Sequence, residues 1–201
     1  GSINLSSSGS SNLKNTNNLK SNIVNNLTYN SNNYISNLGI NNNFNLQIKN
    51  LNTLAKNNSE YKSSPQVELI SIFKANTSLP LIKKEQNYDN FLTPRLSLRI
   101  NPSDMKNYSN SSKSIDVGNI FTLNRLGLED SFESGKSLTI GLDYRKEKKE
   151  VNDLNDINKY FEIKLATVIR DKEEYFIPRS STIGRKNSNI FGSVENNLHK
   201  N

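Results

Sequence analysis

Cysteine and tryptophan are absent from the 201 residues, and histidine and methionine each occur once. Without cysteine the chain can form no disulfide, no thiolate metal site and no thiol nucleophile. The single histidine, His199, lies near the end of the chain with no acid, base or nucleophile patterned around it, so acid–base catalysis has no visible centre. No stretch of eighteen or more apolar residues occurs, which excludes a transmembrane helix, and no charged, apolar and small-residue succession marks a leader at the start. Apolar residues are themselves scarce. They make up 33% of the chain, against about 45–50% in ordinary globular domains. A chain so poor in them either stays partly disordered or spends them on one face only.

Asparagine fills the gap, at roughly one residue in six. A biased genome composition explains this most simply, and neutral hydrogen-bonding groups lining a wet interior would use it. Asn-X-Ser/Thr matches, such as those at 26–28, 76–78 and 107–109, are expected by chance in such a chain. The formal net charge is +7, but the lysines are scattered. The one basic run, Arg145 to Lys149, is interrupted by Glu147 and followed by Glu150. A nucleic-acid footprint would gather its charge on one element, so nucleic acid is not expected as a partner. There is no nucleophile elbow, P-loop or dinucleotide fingerprint. The carboxylates Glu129, Asp130 and Glu133 lack the spacing of a calcium loop and read as a solvated loop. No catalytic residue, cofactor or metal site is expected, and an enzyme is not.

What the chain has in quantity is period-two alternation, which on a strand separates an apolar face from a polar one. Leu138, Ile140, Leu142 and Tyr144 alternate with Thr139, Gly141, Asp143 and Arg145. Leu38, Ile40, Phe44, Leu46 and Ile48 oppose Asn43, Asn45, Gln47 and Lys49, over about the nine to eleven residues that a tilted membrane strand needs. Leu92, Pro94, Leu96, Leu98 and Ile100 alternate with Thr93, Arg95, Ser97 and Arg99, and Phe161 to Ile169 alternates with Glu162 to Arg170. Ile23, Leu27 and Tyr29 share a face with Asn25 as an exception, Val67 to Lys74 is a strand with blurred alternation, and Ile190 to Val194 begins a last one. Residues 1–20 read either as one weak strand and a loop or as poorly ordered. Residues 50–64 and 103–118 read as loops, Lys83 to Asn90 as a polar loop, and Ile120 to Leu126 as a short extended element. Tyr29, Tyr34, Phe91, Tyr144, Tyr160 and Phe161 sit near strand ends, as interfacial aromatics would.

About eight strands with no helix predict an all-β fold: an antiparallel transmembrane β-barrel segment, incomplete, forming part of a larger barrel over residues 1–201. The polar faces put Arg95, Arg99, Arg145 and Lys164 toward the lumen as candidate contacts for phosphorylated sugars or a plugging protein.

The stretch Asp116 to Arg145 resembles the barrel domain of the LptD (OstA/Imp) family of lipopolysaccharide-assembly outer-membrane proteins. Phe121, Arg125, Gly127, Asp130 and Gly135 match its loop, and Leu138, Thr139, Gly141, Leu142, Tyr144 and Arg145 match the strand that follows. Leu92, Thr93 and Pro94 match its Leu-Thr-Pro strand, and Leu79-Pro80-Leu81 its Pro-Leu element. The resemblance is best over residues 65–192. It implies a fragment of a C-terminal barrel in a Gram-negative outer membrane, part of a translocon that assembles lipopolysaccharide at the cell surface. Its implied partners are lipopolysaccharide, a lipoprotein plug of the LptE type, and periplasmic bridge proteins reached through an N-terminal domain outside this chain. The rival readings are another outer-membrane barrel, such as a porin or TonB-dependent receptor, and an Asn-rich adhesin-like surface β-protein.

Overall fold

A computed structural model describes residues 1–58, 61–149 and 159–197; His199 lies outside them. The strands are β1 (Ser2–Lys14), β2 (Asn18–Asn30), β3 (Tyr34–Ile35), β4 (Asn41–Lys56), β5 (Gln66–Ser78), β6 (Leu81–Lys84), β7 (Tyr88–Asn101), β8 (Gly135–Lys148), β9 (Tyr160–Arg170) and β10 (Phe191–Asn196). Among the described residues there is no α-helix, only one 3-10 turn at Arg179–Ser181. All ten strands form one antiparallel sheet in the order β1-β2-β4-β5-β7-β8-β9-β10, with β3 beside β4 and β6 beside β7. The sheet is open, with β1 and β10 at its two edges.

Several strands run further than their alternation predicts, for traceable reasons. Ser2–Lys14 pairs with Asn18–Asn30 along its whole length. Backbone ladders do not need apolar side chains, and Asn15 supplies the positive φ of 49° that the tight turn requires. Residues 50–56, expected as loop, complete β4, because there the apolar positions change face: Phe44, Leu46 and Ile48 lie on one side, Leu51 and Ala55 on the other. Ile70 and Ile72 do the same in β5, which is why its alternation is blurred. The expected polar loop at 83–90 contains the end of β6 and the start of β7. Ile120 to Leu126 is a series of turns, not an extended element.

Proline placement follows the ladder. The β5–β7 register at Ser78–Arg95 continues without slip into the β6–β7 register at Leu81–Leu92. Pro80 and Pro94 both fall in the two-residue gap between these ladders, where a missing N–H costs no ladder bond. The chain is held there by Leu79 N–H donating to Pro94 O at 3.1 Å.

The two faces of the sheet differ in kind. One, the open face, carries Ile23, Leu27, Val67, Leu69, Leu96, Leu98, Ile140, Leu142, Leu165 and Ile169, all exposed. The other, the covered face, carries the polar partners in each alternation, and the segment 102–134 lies over it. The core is therefore not between two sheets. It is a cluster of Met105, Ile115, Ile120, Leu126, Leu128, Ile177 and Ile183 from two connections, packed on Ala166 and Val168 of β9, with a smaller cluster of Phe132 on Ile70 and Ile72. Both of these connections, 102–134 and 171–190, leave from one end of the sheet. The opposite end carries the three-residue turn at 85–87 and the connections that leave β2 and β8, while the three-residue turn at 15–17 lies at the first end.

Candidate functional site

A loop laid over a sheet buries its own carbonyls, and each needs a donor. Basic side chains of the covered face supply many of them. Lys74 Nζ donates to Phe121 O at 2.6 Å, Lys49 Nζ to Leu128 O at 3.1 Å and also to Glu129 O, and Arg99 Nη2 to Thr122 O. Asn101 Nδ2 donates to Glu133 O at 3.1 Å. Two cations also lie over loop rings: Lys49 Nζ is 4.5 Å from the Phe132 centroid, and the Arg95 guanidinium 4.2 Å from that of Phe121.

The centre of the arrangement is Glu133. Its carboxylate accepts from Arg125 Nε at 2.6 Å, from Arg125 Nη2 and from Arg170 Nη1, and Arg99 Nη1 lies 3.8 Å away. Arg125 also donates to Thr139 Oγ1 at 3.1 Å and Ser137 Oγ at 3.2 Å on β8. All four charged residues are at most 5% exposed. Burial alone would raise the Glu133 pKa; the charge and hydrogen bonds of Arg125, with Arg99 and Arg170 behind them, overcome it and hold the carboxyl down at about 2. Three guanidiniums from β7, the loop and β9 thus converge on one anion. Glu133 is no part of a solvated loop, contrary to expectation.

A second acidic anchor lies three residues before Glu133. Asp130 accepts from the Tyr108 hydroxyl and from Lys106 Nζ at 3.1 Å. Burial pushes the Asp130 carboxyl up, but these two donors outweigh it and the net shift is downward. The Tyr108 hydroxyl is pushed up, first by burial and then by its bond to Asp130. Tyr108 N–H in turn donates to Phe176 O at 2.8 Å, which locks the 102–134 connection to the 171–190 connection.

The structure brings most of the sequence-predicted positions into this one unit. Phe121 lies against Gly141: a Cβ there would stand 2.6 Å from the Phe121 ring, so only glycine admits the aromatic. Gly127 closes a turn by donating its N–H to Asn124 O at 2.9 Å. Gly135, at φ 79°, turns the chain from the Glu133 centre into β8. Leu92, Pro94 and Leu138 stand apart on the open face, and Thr93 faces the covered side opposite Asp143.

The four basic candidates are all engaged internally. Arg95 pairs with Asp143 at 3.1 Å, Arg99 belongs to the Glu133 centre, Arg145 pairs with Glu147 at 2.6 Å and Glu162 at 3.7 Å, and Lys164 pairs with Glu162 at 2.7 Å. Sequence reading missed Glu133, Asp143, Glu162, Lys49 and Lys74 as functional side chains. Strand parity could have placed the last four on the covered face, but nothing local predicts a loop above them. Of the six candidate interfacial aromatics, Tyr29, Tyr34, Tyr144 and Phe161 lie on the open face, whereas Phe91 and Tyr160 share the covered face with Arg145 and Glu162. A cleft of about 690 Å³ remains between β1, β2, β4 and the loop, lined by Lys20, Asn22, Asn26, Lys49, Tyr108 and Asp130 among others.

No family model and no curated protein matches the chain.

Proposed function

We propose that this chain is a sector of a transmembrane β-barrel wall whose open face meets lipid and whose covered face meets the lumen. The observation that carries this reading is the inverted sidedness along the middle of β5, β7, β8 and β9: there the exposed face is mainly apolar, and the face with the charges is the packed one. Water would make the opposite arrangement stable; a bilayer favours this one. In a bilayer the strand edges need partners, which further strands of the same barrel would supply at β1 and β10. The two longest connections, 102–134 and 171–190, leave from the same end, and this orients the sector with that end outward and the end of the 85–87 turn toward the periplasm, in a Gram-negative outer membrane.

Within that class, the chain serves lipopolysaccharide assembly, as part of a translocon with a lipoprotein plug and periplasmic bridge partners, and it is not an enzyme. Support comes from the residues that carry the family resemblance: Phe121, Arg125, Asp130, Gly135 and Gly141 build the loop-on-sheet unit described above. Loops packed on the lumen side also favour a gated or plugged interior over an open porin channel. Because Arg95, Arg99, Arg145 and Lys164 hold the loop and one another, their role is to shape the lumen wall. The test is to introduce Glu133→Ala in the full-length protein in its own cell. Surface lipopolysaccharide is expected to fall although the barrel still inserts. Unchanged surface lipopolysaccharide on complete depletion of the protein would reject the assignment.

A further inference from the structure

At the end of the open face that carries the 85–87 turn, the side chains change from aliphatic to aromatic and cationic. Tyr34 stacks on Phe44 with ring centroids 6.3 Å apart, and Tyr29 packs on the same ring at 5.8 Å. The belt continues through Tyr88, Tyr144 and Phe161, which register and parity place on the same face and at the same end. Such a row marks the height at which a bilayer turns from hydrocarbon to headgroup.

Within the belt lies a cavity of about 390 Å³, lined by Leu81, Lys83, Glu85, Asn90, Leu92 and Tyr144. Its inner wall is aliphatic, from Leu81 and Leu92, which are paired across β6 and β7. Its rim is polar. Tyr144 donates its hydroxyl to Asn90 Oδ1 at 2.9 Å, and Lys83 Nζ reaches Glu85 Oε1 at 2.7 Å. Beside it, Lys146 Nζ stands 4.2 Å over the Tyr88 ring, with Lys148 opposite Tyr88 across the β7–β8 ladder. The one carboxylate on the rim, Glu85, feels the charge of both Lys83 and Lys146.

We infer that this pocket seats the headgroup of an anionic glycerophospholipid, one with no ammonium group to neutralise its phosphate, with Lys83 and Lys146 facing the phosphate and Leu81 and Leu92 taking the first methylenes of an acyl chain. An apolar floor under a cationic rim at belt height matches that amphiphile. The site lies at the end of the 85–87 turn, which the proposed orientation turns toward the periplasm, where the membrane leaflet is phospholipid. The inference rests on the reading of the open face as lipid-facing and on that orientation.

The full-length protein is incorporated into vesicles of phosphatidylglycerol or of phosphatidylcholine, exchanged into an uncharged detergent, and weighed with its retained lipid by native mass spectrometry. Phosphatidylglycerol is expected to stay bound and phosphatidylcholine to be lost. A lysine near a membrane surface contributes about 1 kcal/mol, so Lys83→Ala with Lys146→Ala should weaken retention about 25-fold. Lys172→Ala, at the other end of the sheet, should leave it unchanged. Equal retention of both lipids, an equal loss in Lys172→Ala, or lysine-dependent retention of added lipopolysaccharide in place of phosphatidylglycerol would overturn the site while leaving the barrel wall standing. Failure of the full-length protein to enter either vesicle would overturn the barrel wall itself, and the site with it.

Discussion

On the covered face of β7, β8 and β9 stand Arg99, Ser137, Thr139 and Arg170, all buried beneath the 102–134 segment. On the same face of β1 stand Ser6, Ser8, Ser10 and Asn12, all exposed. Both sets are polar and both come from regular alternation, but they work differently. In the first region the polar side chains donate to a second layer, and the strands are held by what lies on them. In the second they bond sideways, as in Ser10 Oγ to Asn22 Oδ1 at 2.7 Å. Toward the middle of the sheet Asn76 donates to Asn43 at 2.7 Å and Asn45 to Asn30 at 2.7 Å. Even the open face there carries such a ladder, with Ser7 bonded to Asn25 and Asn25 to Asn50. A polar sheet face thus either anchors a loop or satisfies itself, and the difference is charge: the anchoring strands carry Lys and Arg, the self-satisfying ones mainly Ser and Asn.

This contrast can be broken most severely at Glu133. Glu133→Ala leaves three buried guanidiniums without their anion and is expected to cost about 3–5 kcal/mol, read as accelerated hydrogen exchange over residues 120–134 with β1–β2 exchange unchanged. Exchange rising equally in β1–β2 would mean that the two regions are not separate. Acid should have the same regional effect. Because the Glu133 pKa is depressed from 4.5 to about 2, its stabilisation is complete above pH 4.5 and is lost as pH falls toward 2. Pepsin should cut the 102–134 segment increasingly across that window, and Glu133→Gln should reduce the pH dependence to the share that Asp130 contributes.

Next in size is Gly141. Gly141→Leu drives a side chain into the Phe121 ring and should cost about 1–3 kcal/mol, partly recovered when Phe121→Ala is added. Additive losses in the double variant would show that the ring and the glycine are independent. Smaller still is the Arg95–Asp143 pair, half-exposed, for which Asp143→Asn should shift stability by about 1 kcal/mol or less. The smallest change is expected in the other region. Asn25→Leu breaks a satisfied ladder on the open face while improving its apolar character, so the thermal midpoint in lipid should stay within the effect of the Asp143 change. A loss as large as that of Glu133→Ala would show that the ladder anchors something.

How much of this was legible varies with sequence distance. Strand parity is local: two residues apart means the same face, so Leu138, Ile140 and Leu142 announced their side without help. Pro94 within an alternating strand reads as a contradiction until the β5–β6 break opposite it is seen. The Glu133 centre joins residues 99, 125, 133 and 170, and no window short enough to show a pattern contains them. The same applies to Phe121 and Gly141, twenty residues apart, whose contact explains why an aromatic in a loop and a glycine in a strand belong together. Asp130 and Glu133, close to Glu129 in sequence, looked like one solvated acidic run because sequence gives charge but not cover.

The sequence by itself determined the all-β class and the sidedness of the regularly alternating strands, because alternation and backbone propensity act within a few residues. Only the tertiary structure decided what each face meets. A long connection folding back over the lysines and arginines turned apparent lumen charges into the buried fastening of that loop, because the cost of burying its carbonyls and carboxylate is offset only where those distant donors converge.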